Sequence, residues 1–197
     1  MSESTGKRTD PRVLRTRQLL KNALVELLQE MSLDKITVNK IAERATINRV
    51  TFYLHYRDIP DMLEKMAEEM VVDVERAMDR KSKEQPWNSS DGILLELLEH
   101  IASNAEFYKV IIGSRRVPIF HERLRDVFTR KIGEGMTDKG LNERGIQQDV
   151  ALWFGSAALL GTIASWLRSD LPYSPQFLAR QFVLLLRPDD IRPEEKA

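Results

Sequence analysis

Apolar residues in this chain recur with the period of a helix almost from end to end, and the period-two alternation of a strand is nearly absent. Leu20, Ala23, Leu24, Leu27, Leu28 and Met31 follow i, i+3, i+4 spacing, so a first helix with one buried stripe is expected there. Asp10 and Pro11 stand where a capping side chain and a first-turn proline would open it. A chain patterned this way folds by packing helix on helix, and the expected class is all-α. Its 197 residues suffice to bury a core without staples, and with no cysteine it has no disulfide framework.

The same reasoning places the remaining elements. Thr37 caps a second helix carrying Val38, Ile41, Ala42 and Ala45. Asn48 caps a third, short helix that ends near Tyr53 or Leu54. Asp58, ahead of Ile59 and Pro60, opens a long helix to about Lys81, with Leu63, Met66, Met70 and Val74 on one face. Ser82 to Asp91, with Pro86, reads as a linker. Helical pattern returns from Gly92 to about Gly113, and again from Pro118 to Lys131 or Ile132. Gly133 to Gly145 reads as loop. A long helix then spans Gly145 to Ser169, and Ser174 caps a last one to Leu186.

Two domains are expected: a helix-turn-helix unit at 10–57 and a helical regulatory and dimerisation unit at 58–188. Residues 1–9 and 189–197 read as flexible tails. Val150 to Leu167 is free of charge for eighteen residues, the lower edge of a membrane-spanning length. Gly155, Ser156, Gly161, Thr162 and Ser165 dilute its apolarity, so a helix buried on most sides inside protein is expected, not a membrane span. No apolar segment follows the charged N-terminus, which fits a cytoplasmic protein.

Formal net charge is zero, but it is unevenly distributed. Residues 1–57 carry eleven Lys/Arg against six Asp/Glu, and the rest nineteen against twenty-four. A basic segment on an otherwise acidic chain points to a polyanion partner. Enzyme chemistry finds no purchase. His55, His100 and His121 are scattered without metal spacing, and no Ser-His-Asp or Cys-His grouping exists. Gly133-x-Gly135 lacks both the preceding strand and the third glycine of a dinucleotide site. No catalytic residue, cofactor or metal is therefore assigned.

The informative segment is ITVNKIAERATINRVTFYLHY, from Ile36 to Tyr56. Two short helices separated by about three residues can pack steeply and project the second into a major groove of double-stranded DNA. Asn48, Arg49 and Val50 are expected to read bases: an amide for adenine, a guanidinium for guanine, an apolar group for a thymine methyl. Thr37, Thr51, Tyr53 and His55 are expected to hold the sugar-phosphate backbone. Arg17, Asn39 and Arg57 complete the candidate set. Ile47, Phe52 and Tyr56 supply the apolar side that anchors the helix.

From about Arg17 to Leu63 the chain resembles the DNA-binding domain of the TetR family of bacterial regulators. The residues that carry the resemblance are Arg17, then Thr37-Val38, Ile41-Ala42 and Ala45, then Ile47-Asn48-Arg49, Thr51-Phe52-Tyr53, His55-Tyr56, Asp58 and Met62-Leu63. Phe107 to Ile112 and Phe120 are similar to the regulatory domain of a subgroup related to a dihydroxyacetone-kinase activator. The resemblance implies a homodimer, an all-helical C-terminal domain and release from DNA by a small-molecule effector. A repressor on an inverted-repeat operator follows from that frame.

In the same frame, the helices at 146–168 and 174–186 of two chains are expected to form a four-helix bundle. Phe154, Ala158, Gly161, Thr162, Ser165, Phe177 and Phe182 would lie at the interface. Met66, Met70, Leu97, Ile101, Tyr108 and Trp153 are the candidate lining of an effector pocket. The chain departs from the family pattern at three places: Thr46 replaces a turn glycine, Val50 replaces a small residue, and Ile59 replaces a phosphate-binding lysine, for which Arg57 can compensate. The departures at Thr46 and Ile59 motivate a second reading, a regulator-like co-activator that acts through a protein partner with little or no DNA binding.

Overall fold

The computed structural model describes residues 10–79, 89–113, 117–135 and 145–186. Among them are nine α-helices and no strand: α1 (Pro11–Glu30), α2 (Val38–Arg44), α3 (Arg49–Tyr53), α4 (Ile59–Asp79), α5 (Ser89–Ser103), α6 (Ala105–Tyr108), α7 (Pro118–Gly135), α8 (Gln148–Arg168) and α9 (Pro175–Leu186). Both tails, Pro86 and Trp87 lie outside the described residues. The chain divides into two compact units, Met1–Met66 and Ala67–Ala197, inside the continuous helix α4. The sequence reading put the boundary at 57/58, ahead of that helix.

In the first unit, Asp10 Oδ1 accepts the amide of Arg12 at 2.8 Å, and Pro11 opens α1. Leu20, Ala23, Leu24, Leu27 and Leu28 form its buried face. Thr37 Oγ1 caps α2 by accepting from Lys40 N at 3.3 Å. Arg44, at the end of α2, forks onto Glu30 of α1 with both terminal nitrogens at 2.8 Å, and a third bond reaches Glu26 at 3.3 Å. That fork holds the Glu30 carboxyl below its ordinary pKa. The core of the unit holds Leu20, Leu24, Ile41, Phe52 and Met62, all at 0 % exposure.

Between α2 and α3, Thr46 takes φ 55°. Its amide donates to Glu43 O at 3.0 Å, and the next amide, Ile47, donates to Ala42 O at 2.9 Å. This is the paired closure that ends a helix through a left-handed residue, and it is the conformation that the family's glycine adopts without cost. Thr46 adopts it against the crowding of a β-branched side chain.

In the second unit, α7 packs on α8, and α9 packs on α5. A Cβ at Gly155 would sit 3.3 Å from Ile132 Cδ1, so α8 approaches α7 closely where it lacks a side chain. Arg130 pairs with Glu75, and Lys131 pairs with Asp79 at 2.9 Å, which ties α7 to the later turns of α4. Two structural details differ from expectation. The helix expected from Gly92 to Gly113 begins at Ser89 and breaks at Asn104 (φ −121°, ψ 32°). Ser103 Oγ and Asn104 Nδ2 bond back to the carbonyls of Glu99 and His100, at 2.8 and 2.9 Å, competing with the helix ladder. Beyond α6, Lys109–Gly113 widens into a π turn that buries Val110, Ile111, Ile112 and Gly113 together, and His121 Nε2 donates to Ile112 O at 2.8 Å. The glycines at 133 and 135, expected in a loop, are the end of α7.

The third difference concerns α8. By length and composition it could cross a membrane, but it has only one buried face, with Ser156, Leu159, Ile163, Ala164, Trp166 and Leu167. The expectation of burial on most sides is corrected: in one chain α7 and the π turn cover one side of α8 and leave Val150, Trp153 and Phe154 exposed at 50, 64 and 66 %.

Replacing Thr46 by glycine should raise stability by about 0.5–1 kcal/mol, since relief of the left-handed strain outweighs the added freedom of the unfolded chain. Urea unfolding checks this, with a higher midpoint and an unchanged slope as the expected result.

Candidate nucleic-acid interface

The short helix α3 is built by its ends. Asn48 Oδ1 accepts the amide of Val50 at 2.8 Å, and Phe52, at 0 % exposure, pins the inner face. The cap commits the amide oxygen of Asn48. Its nitrogen, a donor suited to phosphate, is left for a partner, so the two-atom reading of adenine expected for Asn48 meets a competing bond within the protein.

Arg49 and Tyr53 form one unit on the outer surface. The guanidinium lies 5.5 Å from the centre of the Tyr53 ring, and Nη2 donates to the Tyr53 hydroxyl at 3.1 Å. Tyr53 in turn stands edge-on to Phe52, with ring centres 5.5 Å apart. Val50 is 67 % exposed, Thr37 and Asn39 are exposed, and Thr51 is half-buried.

Behind α3 sits a compact group of polar side chains. His55 is half-buried, and burial first, then the positive charge of Arg17, holds its imidazole below the ordinary pKa. Tyr56 is 2 % exposed, and burial pushes its phenol up. Arg17 Nε and the Tyr56 hydroxyl are buried without a hydrogen-bond partner among the described residues. Lys65 Nζ donates to His55 O at 3.2 Å and to Asp61 Oδ2 at 2.9 Å, and lies 5.5 Å from the Tyr56 ring centre. Arg57 also leans on Asp61, through Nε at 3.3 Å and its amide at 3.0 Å. Asp61 therefore serves two cations, and their hydrogen bonds lower its pKa. Sequence reasoning missed Lys65, which reaches α3 from ten residues away with no local pattern to announce it. It also missed Leu54, 77 % exposed at the end of α3.

In the second unit, Met70, Leu97, Ile101 and Tyr108 are buried, and the Tyr108 hydroxyl shares a hydrogen bond of 2.9 Å with His100 Nε2. Met66 is buried in the first unit. Trp153 does not line an interior. It stands on the exposed face of α8 beside Phe154, since the helix turns its other side to α7. Of the expected interface residues, Phe154, Gly161, Ser165 and Phe177 are exposed, and Ala158 and Thr162 are half-buried. Phe182 is corrected to a core residue at 5 % exposure, on the helix that packs against α5.

A family model described as the transcriptional regulator C-terminal region, of TetR type, matches residues 88–188. The chain belongs to the TetR family of transcriptional regulators. The regulators of this family bind DNA and small-molecule effectors as dimers, and they are not enzymes. An HTH-type transcriptional regulator of Bacillus subtilis (strain 168), YxbF, is 24 % identical over 165 residues, or 82 % of this chain. The chain spans 42 % of the length of that relative.

Among solved structures, the fold is similar to that of the fatty acid degradation regulator FadR from Bacillus halodurans, with a TM-score of 0.69 and 18 % identity over 94 % of this chain and 100 % of the other. A TetR regulator from Streptococcus agalactiae has a TM-score of 0.63 and 21 % identity, covering 90 % of this chain and 96 % of that one. The dihydroxyacetone kinase operon activator DhaS has a TM-score of 0.57 and 20 % identity, covering 88 % and 94 %. These likenesses establish the all-α architecture.

The cap at Asn48 separates structure from recognition. Asn48→Ala should cost about 1 kcal/mol, whereas Asn48→Asp, an equally good cap, should change stability by no more than a few tenths. Thermal unfolding of the two variants checks this, and equal losses would remove the capping role.

Proposed function

We propose that this regulator is a homodimeric repressor that binds an inverted-repeat operator through α3 and is released by a small-molecule effector. The observation that carries the DNA reading is the outward face of α3, where Arg49 is stacked on Tyr53 beside exposed Val50. Arg49 is assigned to a guanine edge. Asn48 is assigned to the backbone through its free nitrogen, with Thr37, Asn39, Thr51, Tyr53, His55 and Arg57 around it and Arg17 behind His55. On its operator the protein joins the nucleoid.

The dimer reading rests on α8. Val150, Trp153, Phe154, Ala157, Gly161 and Ser165 are exposed at three- and four-residue intervals. A Cβ at Gly161 would meet nothing within 4 Å, so its small size serves no neighbour in its own chain. A second copy of α8, flanked by α9 with Phe177, covers that face. Ala158 and Thr162 border it, and Trp153 moves from the pocket set to this interface. The twofold axis would set two copies of α3 about 34 Å apart, one turn of DNA.

The effector reading rests on the second unit's interior. Met70, Leu97 and Ile101 supply apolar surface and Tyr108 a polar handle through His100. An effector acts only through different affinity for two states. The ion pairs Glu75–Arg130 and Asp79–Lys131 give α7 a grip on α4, the helix that continues into the DNA-binding unit.

A protein-partner co-activator remains a second reading, favoured by the hold of Asp61 on Arg57 and Lys65. Selection from random DNA at low salt separates the two: an enriched inverted repeat supports the first, and no enrichment supports the second. Arg49→Ala with Tyr53→Ala should abolish specific binding and leave the dimer intact, as read by anisotropy and light scattering. Phe154→Glu should yield monomers and lose operator binding with them.

His55 gives a pH signature. It is faced by Arg17 from α1 and by Lys65 from α4, and burial first, then Arg17, favours its neutral form. A phosphate beside it raises its pKa, so binding takes up protons and affinity should rise as pH falls through the pKa of the bound form. His55→Gln should flatten that slope, and an unchanged slope would remove His55 from the contact set.

A further inference from the structure

Val50 and Leu54 stand one helical turn apart on α3, 67 % and 77 % exposed, and neither carries a donor or an acceptor. The polar groups beside them are held in place by bonds within the protein. Asn48 Oδ1 holds the Val50 amide, and Arg49 is stacked on Tyr53 and bonded to its hydroxyl. Leu54 ends the helix in helical conformation (φ −71°, ψ −19°), so its side chain leans back over the turn that carries Val50. The two aliphatic side chains therefore share one side of the outward face. A single exposed leucine needs no explanation. A pair of aliphatic side chains on the face that a helix-turn-helix turns toward DNA does.

Of the four base pairs, only those with thymine present a methyl group in the major groove. We propose that Val50 and Leu54 read two thymine methyls in each half-site, which makes Leu54 a specificity-determining residue and sets the chemical class of the operator. Four residues of helix advance about 6 Å along a groove that runs oblique to the rise of about 3.4 Å per base pair, so the two methyls lie about one to two base-pair steps apart. Arg49, at the start of the helix, places a guanine on one flank of them. This inference rests on the DNA-binding reading above.

The test begins with the inverted repeat selected from random DNA. Each thymidine is replaced by deoxyuridine, symmetrically in both half-sites, and binding to the intact full-length protein is measured by fluorescence anisotropy. Deoxyuridine deletes the methyl and keeps every hydrogen-bonding group. At two positions affinity should fall about fourfold for each methyl removed, and elsewhere it should hold. In Leu54→Ala one of these penalties should vanish, and in Val50→Ala the other. Both side chains are exposed, and unchanged thermal unfolding confirms that the variants are folded. An enriched repeat that binds equally well without its thymine methyls overturns the inference while leaving DNA binding intact. Penalties that persist in both variants also overturn it. A selection that enriches no repeat overturns the DNA-binding reading and this inference together.

Discussion

The amide of Ile47 donates to the carbonyl of Ala42, and that bond closes only because Thr46 turns left-handed between them. The bond ends α2 and lets Asn48 start α3 three residues after Ala45. Without it the ladder of α2 would continue, and the outward face of α3 would never separate from the helix before it. Arg44, one residue before the stop, anchors the same end of α2 to Glu30 of α1 through two bonds of 2.8 Å. Strain at Thr46 and the ionic fork at Arg44 thus fall within the same turn of chain.

Where the chain announced its structure, it did so through end signals. Asp10, Thr37, Asn48, Asp58 and Ser174 each cap the helix that follows, with bonds of 2.8–3.3 Å to amides two or three residues on. Such signals are local, so they survive in a bare sequence. The break at Asn104 was not legible because Ser103 and Asn104 compete with the helix through side-chain bonds that periodicity does not register. The run Val110-Ile111-Ile112 has no polar side to give a phase, and all of it is buried in a π turn.

The residues proposed to face DNA could be named because their spacing fixes most of them to one short helix. The faces of α8 could not be assigned, because small and apolar residues surround it on every side. Trp153 on α8 is consequently exposed, and on α9, equally apolar, Phe182 turns into the core. Only packing against α7 and α5 decides which apolar residue turns inward. Lys65 and Leu54 were missed for a related reason. A lysine in a long acidic helix and a leucine at a helix end look ordinary until the fold shows what they stand beside.

The stack of Arg49 on Tyr53 has a consequence for discrimination. A free arginine samples many rotamers and can find some acceptor on almost any sequence, so it adds affinity without selectivity. A guanidinium held against a ring, with one nitrogen already bonded to the hydroxyl, loses little further freedom on reaching a well-placed acceptor. It also has little freedom to swing toward a badly placed one. In the proposed complex that rigidity would be a way of refusing: a wrong base would leave a held charge without its partner, and the complex on that site would be short-lived.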